Sequence, residues 1–190
     1  MGIIGWGLLA LVVLLLLWAM GIYNRLVRLR ALAKEGFSGI TVQLRRRADL
    51  IPNLVESVKG YATHEREVFE EVSKARAASV NAGSVQATAQ ADAQLTGMLG
   101  RLFAVAEAYP ELKANTNFLQ LQDQLANIEG ELQSARRYYN ATVRDLNSTI
   151  QSFPPVLIAR PLGFSEEPFY QDDDPAIQSA PQVSFAKPAA

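Results

Sequence analysis

The sequence predicts an all-α protein: an N-terminal transmembrane helix, an up-and-down antiparallel four-helix bundle and a disordered C-terminal tail. Three observations predict it. Ile3–Ile22 is a run of twenty residues without a charged side chain, the length a helix needs to cross about 30 Å of hydrocarbon. From there to residue 153, apolar residues recur at steps of three and four, the period of a helix that buries one face. Beyond it, residues 154–190 hold seven of the chain's nine prolines, and no stretch alternates at the period of two that a half-buried strand requires. The expected units are an anchor over 1–24, a bundle over 25–153 and a Pro-rich acidic tail over 154–190.

The anchor has Trp6, Trp18 and Tyr23 near its ends, where an aromatic belt meets the headgroups. A cleaved signal peptide is the rival, but it carries a basic leader and a shorter apolar core. Arg25, Arg28, Arg30 and Lys34 follow the run. The positive-inside rule then puts the N-terminus outside and the bundle in the cytoplasm. The expected location is a single pass through a bacterial cytoplasmic (inner) membrane, with a periplasmic bundle as the alternative.

Charge is unevenly distributed. Residues 25–47 carry seven basic side chains against Glu35 alone, whereas residues 48–153 carry nine basic and thirteen acidic. An acidic domain is a poor partner for nucleic acid. The absence of cysteine excludes disulfides and thiolate chemistry.

The first bundle helix runs through Leu26, Leu29, Ala33, Phe37, Ile40, Leu44, Ala48 and Ile51, with Gly36 and Gly39 as weak points. Gln43–Glu65, QLRRRADLIPNLVESVKGYATHE, then reads as punctuation, because a helix interior rarely tolerates proline. Asp49 is a good N-cap, and Pro52 would fall within the first turn of a new helix, where its missing N–H costs nothing. That second helix continues through Leu54, Val58, Tyr61, Ala62, Val68, Phe69, Val72 and Ala75. Ala77–Gln94 is small and polar and reads as a loop with a weak helix start. A third helix passes Leu95, Leu99, Leu102 and Val105 and stops at Tyr109-Pro110. The fourth, from Phe118 to Phe153, has the most regular seam, suited to knobs-into-holes packing. Its Tyr139 belongs to the core, with a hydroxyl that needs a partner.

In such a bundle both proline junctions, Asp49–Asn53 and Ala108–Asn115, lie at the distal tip. The alternative is that Pro52 and Pro110 merely kink two very long helices paired as one hairpin. The candidate interaction tip is Arg45, Arg46, Arg47, Asp49, Pro52, Asn53, Tyr109, Pro110, Lys113 and Asn115. A membrane-proximal polar cluster is expected from Tyr23, Asn24, Arg25, Arg28, Arg76, Arg136, Arg137, Tyr138 and Asn140. Arg45–Arg47 begin roughly 35 Å above the membrane on an upright helix, several Debye lengths from the lipid.

No catalytic set emerges, and neither a cofactor nor a small-molecule substrate is expected. His64 is the single histidine, and Val68 stands where a zincin would place its second one. Gly83, Gly97 and Gly100 fit no phosphate-binding loop. Glu56 and Lys59 are expected to pair across one turn.

The motifs YNRLVRLR (23–30), Gln43–Glu65, ARA (75–77), AYPELKANTNF (108–118), ARRYYN (135–140) and FP (153–154) resemble those of the bacterial LemA family. The resemblance implies an anchored four-helix bundle and membrane location, with no established activity and no catalytic residues to carry over. The expected function is a non-catalytic membrane scaffold that contacts protein partners or its own copies, with a regulatory adaptor for a membrane protease or signalling system as the alternative. The expected partners are the lipid bilayer, through residues 3–22, and proteins.

Overall fold

The computed structural model describes residues 2–171, and every element among them is helical. The part of the expected acidic tail from 172 to 190 lies outside the described residues. The elements are α1 (Ile3–Lys59), α2 (Arg66–Asn81), α3 (Val85–Glu107), the single turn α4 (Pro110–Lys113), α5 (Thr116–Gln151) and the single turn α6 (Val156–Ala159). α1 and α5 form one long antiparallel pair, and the shorter α2 and α3 pack on each other beside its upper half.

α1 corrects the expected turn at Asp49–Asn53. The helix runs unbroken for 57 residues with Pro52 inside it, about 85 Å at 1.5 Å per residue. Proline leaves the carbonyl four residues earlier without its helical donor. That carbonyl is Ala48 O, and Arg76 Nε on α2 donates to it at 2.7 Å. A side chain from the neighbouring helix thus replaces the bond that Pro52 cannot make. Asp49 is exposed and caps nothing; Ala48 and Ile51 are buried on either side of it. The chain turns instead at 60–65, where Gly60 N and Ala62 N still bond back to the last turn of α1 and Ala62 is buried. His64 is exposed in this turn. Glu56 and Lys59 pair as expected, at 2.8 Å.

The region read as a loop is mostly helix. α2 continues to Asn81 and only 82–84 interrupt it, with Ser84 Oγ accepting from Ala87 N to cap α3. Thr88, Ala89 and Ala91 are buried. Their small size is what packing needs there, since Ala89 lies with Leu44 and Leu132 of the long pair. At the far end, Pro110 opens α4, and Asn115 Oδ1 caps α5 by accepting from the N–H groups of Asn117 and Phe118.

Two apolar cores result. The distal one joins Leu54, Val58, Phe69, Val72, Leu95, Leu102, Leu112 and Phe118. The proximal one joins Leu26, Ile40, Leu132, Val143, Leu146 and Ile150 with Ala159, Phe164 and Tyr170. The last three correct the expectation that the chain is disordered from Pro154, because residues 154–171 fold back along the α1–α5 pair. Gly36 sets the register of that pair: a Cβ there would meet Tyr139 Cα at 3.0 Å. Any Cβ there would press the two backbones apart by a few tenths of an ångström, which gives Gly36 a packing role beyond its weak helix propensity.

α1 begins with the apolar run, and the described large side chains of that run are exposed, with no protein packed over them. Such a surface needs lipid.

Candidate functional site

The densest polar arrangement lies midway up the bundle. Asp92 on α3 is 1% exposed and gathers three donors from three other parts of the chain. Its Oδ1 accepts from Arg47 Nη1 of α1 at 2.9 Å. Its Oδ2 accepts from Arg136 Nη2 of α5 and, at 2.9 Å, from the Tyr170 hydroxyl of the C-terminal segment. Arg47 Nη1 also donates to Thr96 Oγ1 at 3.0 Å, and its Nη2 lies 3.4 Å from Glu129 Oε2. Arg136 reaches the same glutamate at 3.9 Å, and its guanidinium sits 5.3 Å from the centroid of the Tyr170 ring. Two arginines face two carboxylates, so the charges balance.

Tyr170 and Arg136 both hold their protons more tightly than usual, for different reasons. Desolvation, reinforced by the Asp92 carboxylate, pushes the Tyr170 phenol well above its usual range. For Arg136 desolvation acts downward, but Asp92, Tyr170 and Glu129 together raise it. The cluster is a clasp that ties α1, α3, α5 and the C-terminal segment together.

The segment is fastened at two further points by asparagine side chains, each pairing with both polar groups of one backbone residue. Asn140 donates to Tyr170 O at 3.0 Å and accepts from Tyr170 N at 2.8 Å. Asn147 does the same with Glu167, at 2.8 and 2.9 Å. Between them, the Tyr139 hydroxyl donates to Pro168 O at 2.7 Å, the partner expected for a buried tyrosine. Burial, with the Glu167 carboxylate adding to it, pushes this phenol from 10.0 up to about 12. The raised value sets the sign of a pH dependence. The unfolded phenol ionises near its ordinary value while the folded one stays protonated, so stability present below pH 10 is lost between about pH 10 and 12. Urea midpoints of the full chain in detergent are expected to fall over that window, and Tyr139→Phe to flatten the fall.

The expected tip is only partly assembled. Tyr109, Pro110, Lys113 and Asn115 are distal, and Asn115 Nδ2 donates to the hydroxyl of Tyr61 in the first turn at 3.3 Å. Arg45, Arg46, Arg47, Asp49, Pro52 and Asn53 are not there. They lie on α1 well below Lys59, roughly 20 Å lower in the case of the arginines, and Arg47 turns into the clasp. Arg45 and Arg46 stay exposed and, with Thr41, Val42, Ser79 and Val80, line a half-open groove of about 380 Å³ beneath the α2–α3 turn.

The expected membrane-proximal cluster also divides. Tyr23, Asn24, Arg25 and Arg28 do mark the exit of the apolar run. Arg76 sits mid-bundle against Ala48, because α2 is too short to return to the membrane. Arg136 belongs to the clasp and Asn140 to the clamp on Tyr170. Arg137 is exposed and bonds Ser134 Oγ within its own helix. Tyr138 is exposed along one edge, its ring beside Gly36. Sequence reasoning missed Asp92 and Tyr170. The one signal for Asp92 was a lone acid among the alanines of Ala77–Gln94.

Comparison with known proteins gives the context. Residues 36–185 match the LemA family. The chain is similar to the Magnetosome protein MamQ of Magnetospirillum gryphiswaldense, 26% identical over 191 aligned positions that cover 85% of this chain and 70% of the relative. It is similar to Magnetosome protein MamQ 2 of Paramagnetospirillum magneticum, 25% identical with 79% and 65% covered, so it spans just under two thirds of that relative. It is also similar to Protein LemA of Metamycoplasma hominis, 26% identical with 78% and 68% covered. None of these relatives is named as an enzyme.

Proposed function

This chain belongs to the LemA family, a membrane-associated member of it, and from that premise we propose that it is a non-catalytic scaffold that presents helical faces to protein partners, copies of itself included. The observation that carries the reading is the division of labour among three consecutive arginines. Arg47 is used up internally by Asp92 and Glu129. Arg45 and Arg46 are exposed at the groove, beside exposed Val42 and Val80. Two free cations around an apolar centre suit a partner surface that offers carboxylates around apolar side chains. Continuity of α1 supports the same reading, since an unbroken helix holds the groove at a fixed height above the bilayer. The bundle lies on the cytoplasmic side of a bacterial inner membrane in this proposal, supported by the basic residues that follow the span.

The test separates exposed from buried arginines. Arg45→Gln with Arg46→Gln is expected to abolish chemical crosslinking of the chain to its partners in native membranes, while its helical CD signal and melting temperature stay unchanged. Retention of the same crosslinked species in that double variant would overturn the groove as the docking face. Fusing a cytoplasm-active and a periplasm-active reporter to the C-terminus checks the orientation: activity of the periplasmic one alone contradicts it.

A further inference from the structure

The turn that follows α5 is an unassigned surface, and its position identifies what covers it. Among the described residues outside the span and its exit, the three most exposed large apolar ones are Phe153 (79%), Leu157 (63%) and Leu162 (53%). All three fall within ten residues of one another, in SFPPVLIARPLGF (152–164), which contains no acid and a single arginine. The opposite side of the turn is firmly packed. Ala159 is fully buried in the proximal core beside Leu26 and Ile150. Phe164 stacks edge-on against Tyr23 at 5.8 Å and lies under the Arg30 guanidinium at 4.3 Å. Arg30 Nη2 also donates to Gly163 O at 3.1 Å. The exposed apolar side chains are therefore held in place, not displayed by a loose loop.

Height decides the occupant. With Gly36 against Tyr139 and the helices antiparallel, Gln151 lies level with about residue 24, so Phe153 lies level with about Ile22, the last residue of the apolar run. We propose that Phe153, Leu157 and Leu162 insert into the headgroup–acyl boundary of the bilayer beside the span, making a second, monotopic contact between the bundle and the membrane. The proposal rests on α1 being the transmembrane anchor. Two further features fit a lipid interface. The turn satisfies much of its own backbone, with Val156 N, Ala159 N, Gly163 N and Phe164 N bonded to carbonyls within the segment, as immersion requires. Arg160 in the turn and Arg25 and Arg28 at the exit of the span are exposed, suited to headgroup phosphates. A single helix would let the bundle tilt and rotate about α1; a second contact fixes which bundle face looks along the membrane.

Because the natural chain has no cysteine, any one introduced is a unique label site. The full chain is reconstituted in phosphatidylcholine–phosphatidylglycerol vesicles with an environment-sensitive fluorophore on Leu157→Cys, Arg160→Cys, Leu119→Cys on the bundle, or Leu14→Cys in the span. At positions 157 and 160 the expected result is blue-shifted emission, strong quenching by a lipid nitroxide and iodide quenching several-fold weaker than at 119. Adding Leu162→Ser and Phe153→Ser to the Arg160→Cys chain is expected to restore iodide access, which shows that the native side chains, and not the dye, drive insertion. Iodide access at 157 and 160 equal to that at 119 overturns the proposal. Shielding from iodide without nitroxide quenching also overturns it, since protein would then cover the turn. Loss of nitroxide quenching at 14 indicates failure of the anchor itself, which separates that failure from failure of the second contact.

Discussion

Asp92→Ala is expected to destabilise the folded chain by about 3–5 kcal/mol, the cost of leaving buried charges without their partner. The carboxylate is 1% exposed and takes bonds from Arg47, Arg136 and Tyr170, so its loss removes the acceptor that both arginines share. Because Tyr170 hangs on the same oxygen as Arg136, the C-terminal segment should also loosen, and limited proteolysis should cut between residues 160 and 171 sooner than in the natural chain. Asp92→Asn keeps one acceptor and is expected to fall between the two. Replacing Arg47 and Asp92 together with leucine should cost less than the sum of the two single changes, since paired apolar substitution removes both the charge and its demand. Urea unfolding of the full chain in detergent micelles, followed by CD, measures all five variants. An Asp92→Ala midpoint unchanged from the natural chain would contradict the clasp.

The second large effect concerns the proline inside α1. Arg76→Leu keeps the aliphatic stem but removes the donor to Ala48 O, and is expected to cost about 1–3 kcal/mol for the orphaned carbonyl. In a Pro52→Ala background the new N–H at position 52 can make the helical bond itself, so the same Arg76→Leu should cost markedly less. A coupling of about 1 kcal/mol or more between sites 24 residues apart in sequence is the expected sign of a shared carbonyl. Strict additivity would mean that Arg76 does not compensate for the proline.

Much of the fold was readable because helical spacing is a local signal. Leu26 through Ile51 and Phe118 through Ile150 occupy the buried seam that their steps of three and four require. The misplaced turn has a specific cause. Asp49 and Pro52 form a good local start signal, but the apolar spacing continues unbroken through Ile51 and Leu54, and burial of that stripe together with the Arg76 bond outweighs the proline. The real turn had its own marker in Gly60, with the polar Thr63 and His64 behind it. The clasp was harder to see, since Arg47, Asp92, Glu129, Arg136 and Tyr170 are dispersed over more than 120 residues and meet only once the helices pack. Arg136 was expected near the membrane, yet it meets Asp92 of α3 midway up the bundle. The ordered part of the tail was hidden by composition: prolines and acids signal disorder, yet Phe164 and Tyr170 supply enough burial, and Asn140 and Asn147 enough hydrogen bonding, to fix residues 154–171.

The scaffold reading is tested most directly by a photo-crosslinking side chain at position 42, beside Arg45 and Arg46 in the groove, in the full chain in intact bacterial membranes. The expected result is a discrete crosslinked species of higher mass that disappears when Arg45 and Arg46 are both glutamine. A chain that stays monomeric and uncrosslinked on irradiation would contradict it.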